Sequence, residues 1–336
     1  MRIAYLLEST ELCGGVKVVL GQAEALARRG HRVTVVSPDE PPAWHPLRGA
    51  RFERSAFDHS AALAEAEVRV ATFWTTAAPA IDGARGPVFH LCQGFEGEFE
   101  FYRDAWPSIE AAYRLPTRKL AVSAPLKERL EERGFGPVFE VGQVFDAHEF
   151  APGPERETAD PPVVLLVGPF DGPTKGIPVA LDGLALWRER GGRFRLRRVA
   201  ATLPTDAERR RGLTDEYHHA LPPSRMPFAY RSADVYLGPS RPVEGFDLPS
   251  LEALACGVPT LLSDTPRHRA LGGDAAWYFA DGDPARLAAA LPALLETAAR
   301  ARARAAGPAV AARHDAARVA ERLETAFREA LAGAAA

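Results

Sequence analysis

The chain has 336 residues, 46% of them apolar and 25% charged, with a formal net charge of −3. That length suits two domains and that composition a globular protein in water. So small a net charge gives no support for nucleic acid as the main partner, and no apolar run approaches the ~20 residues that a membrane-spanning helix needs.

Cys13, Cys92 and Cys256 are scattered and follow no metal-ligand spacing, as expected of unpaired thiols in a reducing compartment. Met1 to Leu7 is too short for the apolar core of a signal peptide and reads better as a strand. The expectation is a cytoplasmic protein, with at most peripheral contact to a membrane. The lysines are Lys17, Lys119, Lys127 and Lys175 alone, so a lysine inside a motif is informative.

In chain order, Arg2 to Leu7 reads as a short strand and Cys13-Gly14-Gly15-Val16-Lys17 as a glycine turn. Val18 to Arg29 has helical spacing through Val18, Val19, Ala23, Leu26 and Ala27, and Gly30-His31 stops it before a strand at 32–37. This is a βαβ unit without the G-x-G-x-x-G of a dinucleotide site. Val68 to Phe73 and Pro87 to Cys92 are further strands. After the second comes Gln93-Gly-Phe95-Glu96-Gly-Glu-Phe-Glu-Phe-Tyr, a polar and aromatic loop that suits a ligand pocket. Arg118 to Ser123 reads as a strand and Ala124 to Arg133 as a helix ended by Gly134. Residues 151–162 are Pro-rich, charged and aperiodic, and read as an interdomain linker.

Val163 to Val167 is the continuous apolar run of a strand buried on both faces. Gly168-Pro169-Phe-Asp-Gly-Pro-Thr-Lys175-Gly176 follows, then a helix from Ile177. A glycine-rich loop with one cation, leading into a helix start, is a recipe for binding a diphosphate. Strands are expected at 194–200, 218–221, 235–237 and 276–279, and a helix over 227–233. Asp281-Gly-Asp283 could be a metal triplet, but Asp283-Pro284 reads as the cap and first position of the next helix. The Ala- and Arg-rich tail has amphipathic spacing and reads as a helix with a solvated face, or one resting on an anionic membrane surface.

Glu244-Gly245-Phe246-Asp247-Leu248-Pro-Ser-Leu-Glu252 precedes Ala-Leu-Ala-Cys-Gly257-Val-Pro259. It reads as a polar loop, a helix stopped by Gly257, and a buried strand over 258–262. A loop carboxylate and one on the following helix can converge on one ligand, near amides that favour an anion. Glu252 lies between Leu251 and Ala253, an odd setting for a solvating charge.

This stretch resembles the E-x7-E motif of the family 4 retaining glycosyltransferases of the GT-B fold. The resemblance extends over nearly the whole chain and is strongest from Gly168 to Asp264. It implies two Rossmann-like doubly wound α/β domains facing a central cleft. The first would span about residues 1–155 and the second, binding the nucleotide sugar, about 160–311, with a last helix near 312–333 returning to the first. It implies sugar transfer from a nucleoside diphosphate donor with retained configuration and no required metal or other cofactor. The acceptor would be a saccharide, a lipid-linked sugar or a small molecule, in glycan, polysaccharide or glycoconjugate synthesis.

By the same resemblance Glu244 holds donor hydroxyls and Glu252 the ribose. Gly14, Gly15, Gly168, Gly245, Phe246 and Leu248 line the donor, and Lys175 steadies the diphosphate. Asp247 replaces the usual glycine and either caps the helix or touches a donor hydroxyl. Pro169 replaces the usual arginine, with Arg198 and Arg225 as candidate substitutes. A histidine near the reacting carbon would be His90 unless Gln93 takes the place, with Phe95 and Glu96 beside it. Asp146 and Phe150 fit the family's N-G-x-D-x-x-x-F segment. The competing readings are a non-catalytic nucleotide-sugar-binding protein and a nucleotide-sugar epimerase of the same fold.

Overall fold

A computed structural model of the chain describes residues 1–242 and 246–334. It divides into two compact units, Met1–Phe145 with His314–Ala336, and Asp146–Arg313.

The first unit is built on a parallel sheet ordered β3-β2-β1-β4-β5-β6-β7. Its strands are β1 (Arg2–Leu6), β2 (Arg32–Ser37), β3 (Arg51–Arg54), β4 (Val68–Ala71), β5 (Val88–Cys92), β6 (Arg118–Ala121) and β7 (Val138–Glu140). The central strands β4 and β5 are buried along their full length, as a sheet covered on both faces requires. The final helix, Ala316–Ala334, buries Val319, Ala320, Leu323, Ala326, Phe327 and Ala330 on one stripe. It lies along the first helix, Gly14–Arg28, with Arg29 paired to Glu324 at 2.7 Å, and Phe327 packs on Phe89 of β5 at 4.9 Å.

The second unit has a parallel sheet ordered β10-β9-β8-β11-β12-β13. The strands are β8 (Val163–Val167), β9 (Arg195–Ala200), β10 (Thr214–His219), β11 (Val235–Gly238), β12 (Thr260–Ser263) and β13 (Trp277–Phe279). The helices Ile177–Glu189 and Pro284–Leu294 pack together over this sheet, and Leu181, Leu184, Leu287 and Leu291 join β8 and β11 in one core. Asp283 caps the second of these helices, its Oδ1 accepting from the amides of Ala285 and Arg286 at 2.9 and 3.0 Å.

Three local readings change. Gly14 and Gly15 open the helix Gly14–Arg28 and form no separate turn, and neither has a positive φ. The strand expected at 218–221 begins four residues earlier, at Thr214. The stretch read as a linker belongs to the second unit: Arg231 donates to the Ala151 carbonyl at 2.8 Å, Arg304 to the Gly153 carbonyl at 2.8 Å, and Arg156 pairs with Asp234 at 2.9 Å. Arginines reaching from the folded unit satisfy carbonyls that no helix or strand would satisfy.

Candidate functional site

In a sheet of this order, the side on which successive strands are added switches between β8 and β11, and ligands of such sheets bind at the carboxyl ends of the strands flanking that switch. Two loops meet there. One, residues 168–176, leaves β8; the other, after Gly238, leaves β11 and leads to the helix Leu248–Ala255. The Arg241 amide donates to the Thr174 carbonyl at 2.8 Å, joining them. Gly176 has φ 63°, and a Cβ there would stand 2.0 Å from the Pro239 carbonyl oxygen, so no other residue fits this seam.

The Lys175 stem runs over Gly168, where an added Cβ would meet Lys175 Cγ at 3.4 Å. The loop is held from beneath by Arg198, which has no exposed surface. Its Nη1 and Nη2 donate to the carbonyls of Leu166 and Gly168, both at 2.7 Å, and its Nε to Glu208 at 2.6 Å. Arg198 therefore positions the loop from within the core and does not face a phosphate. Arg225 is exposed, on the turn after the outermost strand β10, with its guanidinium 5.9 Å from the Phe228 ring. Two strand spacings, ~10 Å, separate β10 from β8.

Glu244 and Gly245 lie outside the described residues. Phe246 is half-buried, and Leu248 is buried at the start of the helix Leu248–Ala255. Glu252 is only 4% exposed, so it is no solvating surface carboxylate. Tyr230 donates to Glu252 Oε2 at 2.8 Å, and Phe150 packs edge-on against Tyr230 at 6.1 Å. Burial and the Glu252 charge push the Tyr230 hydroxyl well above its ordinary pKa, so it stays a donor to that carboxylate.

Asp247 stands at the N-cap position, yet its side chain makes no capping bond to the backbone. It turns inward, 2% exposed, and Oδ2 accepts from Ser250 Oγ, from Ser240 Oγ at 3.3 Å and from His268 Nε2 at 3.0 Å. His268 Nδ1 reaches the Ser263 carbonyl at 2.8 Å. Burial alone would raise the Asp247 carboxyl. The hydrogen bond and charge of His268, then Arg267 and Lys175, instead hold it well below the usual carboxylate range. A charged group in this setting is a fixed anion at the head of the helix, facing two cations.

In the first unit the corresponding switch lies between β1 and β4. The helix Gly14–Arg28 starts there with no acidic residue in its first turn, its amides open to an anion. Gln93, just past β5, donates its Nε2 to the Gly15 carbonyl at 3.0 Å, bringing two candidate residues together. His90 lies inside β5 with no exposed surface, its ring 4.7 Å from Tyr113. Burial, and then the Lys119 charge, pull its pKa down to about 3, so the ring is neutral and closed off. Of these two residues, Gln93 lies beyond the end of β5 beside Gly15, and His90 is enclosed within the strand. Phe95 is buried against Tyr113 and Phe135. Glu96 accepts from the Tyr113 hydroxyl at 2.7 Å, and burial raises its carboxyl to about 7.

Arg267 and His268 were not singled out in the sequence. Their signal was Thr265-Pro266, a cap and first-turn proline directly after a strand, which opens the helix Pro266–Gly272; Thr265 Oγ1 accepts from the His268 amide at 3.2 Å. Among the described residues no three His, Cys, Asp or Glu side chains gather as a metal site, and no helix is long and apolar enough to cross a membrane.

Two doubly wound parallel-sheet units in one chain, with candidate ligand loops at the switches in strand order, define the GT-B class of fold. Residues 161–297, spanning β8 to β13, match the family model Glycosyl transferases group 1. A 145-residue stretch is 35% identical to the phosphatidyl-myo-inositol mannosyltransferase of Mycobacterium leprae, covering 39% of this chain and 37% of that one. The protein of the same name from Mycolicibacterium smegmatis is 27% identical, covering 88% of this chain and 85% of its own. The structure of Anabaena Alr3699/HepE in complex with UDP and glucose superposes with a TM-score of 0.74 over 98% of this chain and 99% of that one, at 16% identity. Together these findings support a glycosyltransferase of the GT-B fold.

Proposed function

We propose that the chain transfers a sugar from a nucleoside diphosphate donor to an acceptor with retention of anomeric configuration, and without a metal. The observation that carries this reading is the meeting of the Lys175 loop with the buried Glu252 helix at the β8/β11 switch.

In such a transfer the sugar becomes oxocarbenium-like while the diphosphate gains charge as it leaves. Lys175 and the amides at the start of the helix Leu248–Ala255 would stabilise that charge. Glu252, one oxygen held by Tyr230, would take the ribose hydroxyls, and Glu244 the sugar hydroxyls. No protein nucleophile is assigned: leaving group and acceptor share one face of the sugar. The relatives' printed names make mannosyl donors and inositol-lipid acceptors the first to try, and the UDP complex adds uridine nucleotides. A cytoplasmic enzyme, peripheral at a membrane, would suit such an acceptor.

The test is thermal stabilisation by a panel including GDP-mannose and UDP-glucose, followed by donor consumption with and without candidate acceptors. Turnover that depends on acceptor, and is lost in Glu244→Gln and Lys175→Ala with the fold intact, supports the reading. Unchanged turnover in both variants removes the site assignment. Binding without turnover for any acceptor would favour a nucleotide-sugar-binding protein, the reading that Pro169 invites.

A further inference from the structure

The loop after β8 offers one cation to a diphosphate. Pro169 is apolar and folds back over the loop, where a Cβ on Gly172 would come within 2.9 Å of Pro169 Cγ. Arg198 is consumed beneath the loop, and Arg225 is exposed beyond the edge strand β10, on the opposite side of β8 from β11. Arg267 is placed differently. It lies on the turn from β12 into the helix Pro266–Gly272, at the same edge of the sheet as the Lys175 loop. Its Nη2 donates to the Arg241 carbonyl at 3.4 Å, and the amide of that same Arg241 binds the carbonyl of Thr174, next to Lys175. Its Nη1 stands 4.0 Å from Asp247 Oδ2, while Lys175 acts on the same carboxylate through space. The guanidinium is thus tethered on two sides and 5% exposed, which removes most of its rotamer freedom before any ligand arrives.

We propose that Arg267, set in place by Asp247 and the Arg241 carbonyl, is the second cation of the diphosphate subsite and acts with Lys175 on the leaving group. Asp247 lies at 4.0 Å, beyond the 2.7–2.9 Å of a charge-assisted hydrogen bond, and its Oδ2 already accepts from His268, Ser240 and Ser250. The carboxylate therefore orients the guanidinium without a short, direct bond to it. An arginine suits this task because its planar fork can engage two phosphate oxygens, where an ammonium is a point charge. The inference rests on the donor site proposed above.

The experiment is titration calorimetry of the full chain with UDP and GDP, and with UMP and GMP, in wild type, Arg267→Met, Arg267→Lys and Arg225→Met. Melting temperatures serve as the fold control. Arg267→Met should weaken binding of the diphosphate that wild type prefers by about tenfold and leave the matching monophosphate within about twofold. Arg267→Lys should recover part of the loss, and Arg225→Met should change neither. Equal diphosphate affinity in wild type and Arg267→Met overturns the inference and leaves the donor site standing. Equal losses of mono- and diphosphate in both Arg267 variants also overturn it, since that is the mark of a structural role. If wild type binds neither diphosphate, the donor-site reading fails and this inference with it.

Discussion

The most exposing perturbation is Glu208→Ala. Glu208 is 3% exposed and Arg198 fully enclosed, their Nε to Oε1 contact 2.6 Å. Truncating the acid leaves a guanidinium in the interior with two carbonyls for company, Leu166 and Gly168, and no counter-charge. Breaking a buried pair from one side costs about 3–5 kcal/mol, because the surviving charge stays desolvated. For a unit of this size that corresponds to a melting point lower by roughly 10 °C. Glu208→Ala combined with Arg198→Met should be less destabilised than the sum of the single variants, since neither charge then remains. Guanidinium chloride unfolding of the full chain, followed by tryptophan fluorescence, reads the change as a fall in the midpoint for the second unit at constant slope. Trp187 and Trp277 report on that unit. The midpoint should not move for the first unit. A loss below about 1 kcal/mol would refute the reasoning, since that is the range of a solvent-exposed pair.

Three further outcomes are expected. Glu96 has its carboxyl raised from 4.5 to about 7 in the fold, so between those values the folded unit holds a proton that the unfolded chain has released. Stability should therefore fall as pH rises through that window, by about 3 kcal/mol, and Glu96→Gln should abolish that fall. His90, lowered to about 3, works the opposite way from pH 3 to 6.5, so the difference between Glu96→Gln and wild type in pH-resolved denaturation isolates Glu96. Gly176→Ala places a methyl group against the Pro239 carbonyl at a positive φ, and should destabilise the second unit by about 1–3 kcal/mol in guanidinium chloride unfolding, with weaker nucleotide binding. Tyr230→Phe removes the donor to Glu252 and should cost about 1–3 kcal/mol by urea denaturation, as well as weakening nucleoside diphosphate more than inorganic pyrophosphate.

The sequence made the strand core legible because a parallel strand covered on both faces has a plain composition: Val163 to Val167 and Val88 to Cys92 could be little else. β3, Arg51–Arg54, is partly exposed throughout and carries one apolar residue, so neither periodicity nor composition marks it. The helix Gly14–Arg28 begins earlier than spacing suggested, because glycines that accept helical angles look the same in sequence as glycines that turn. At the site, loops and helix starts could be read locally. What could not was anything decided across the sheet: that His90 is enclosed while Gln93 reaches Gly15, or that Asp247 finds His268 and Arg267 on the far side of β12. Those depend on which strands lie side by side, and no residue type announces its neighbour.

The last helix, Ala316–Ala334, is a component of the unit that contains the first strand. During synthesis, residues 146–313 leave the ribosome as a whole unit while the sheet begun at Arg2 still lacks its covering stripe of Val319, Leu323 and Phe327. The part made first is thus completed last, and a cut or bulky fusion near residue 314 would injure the opening half of the polypeptide and spare the middle.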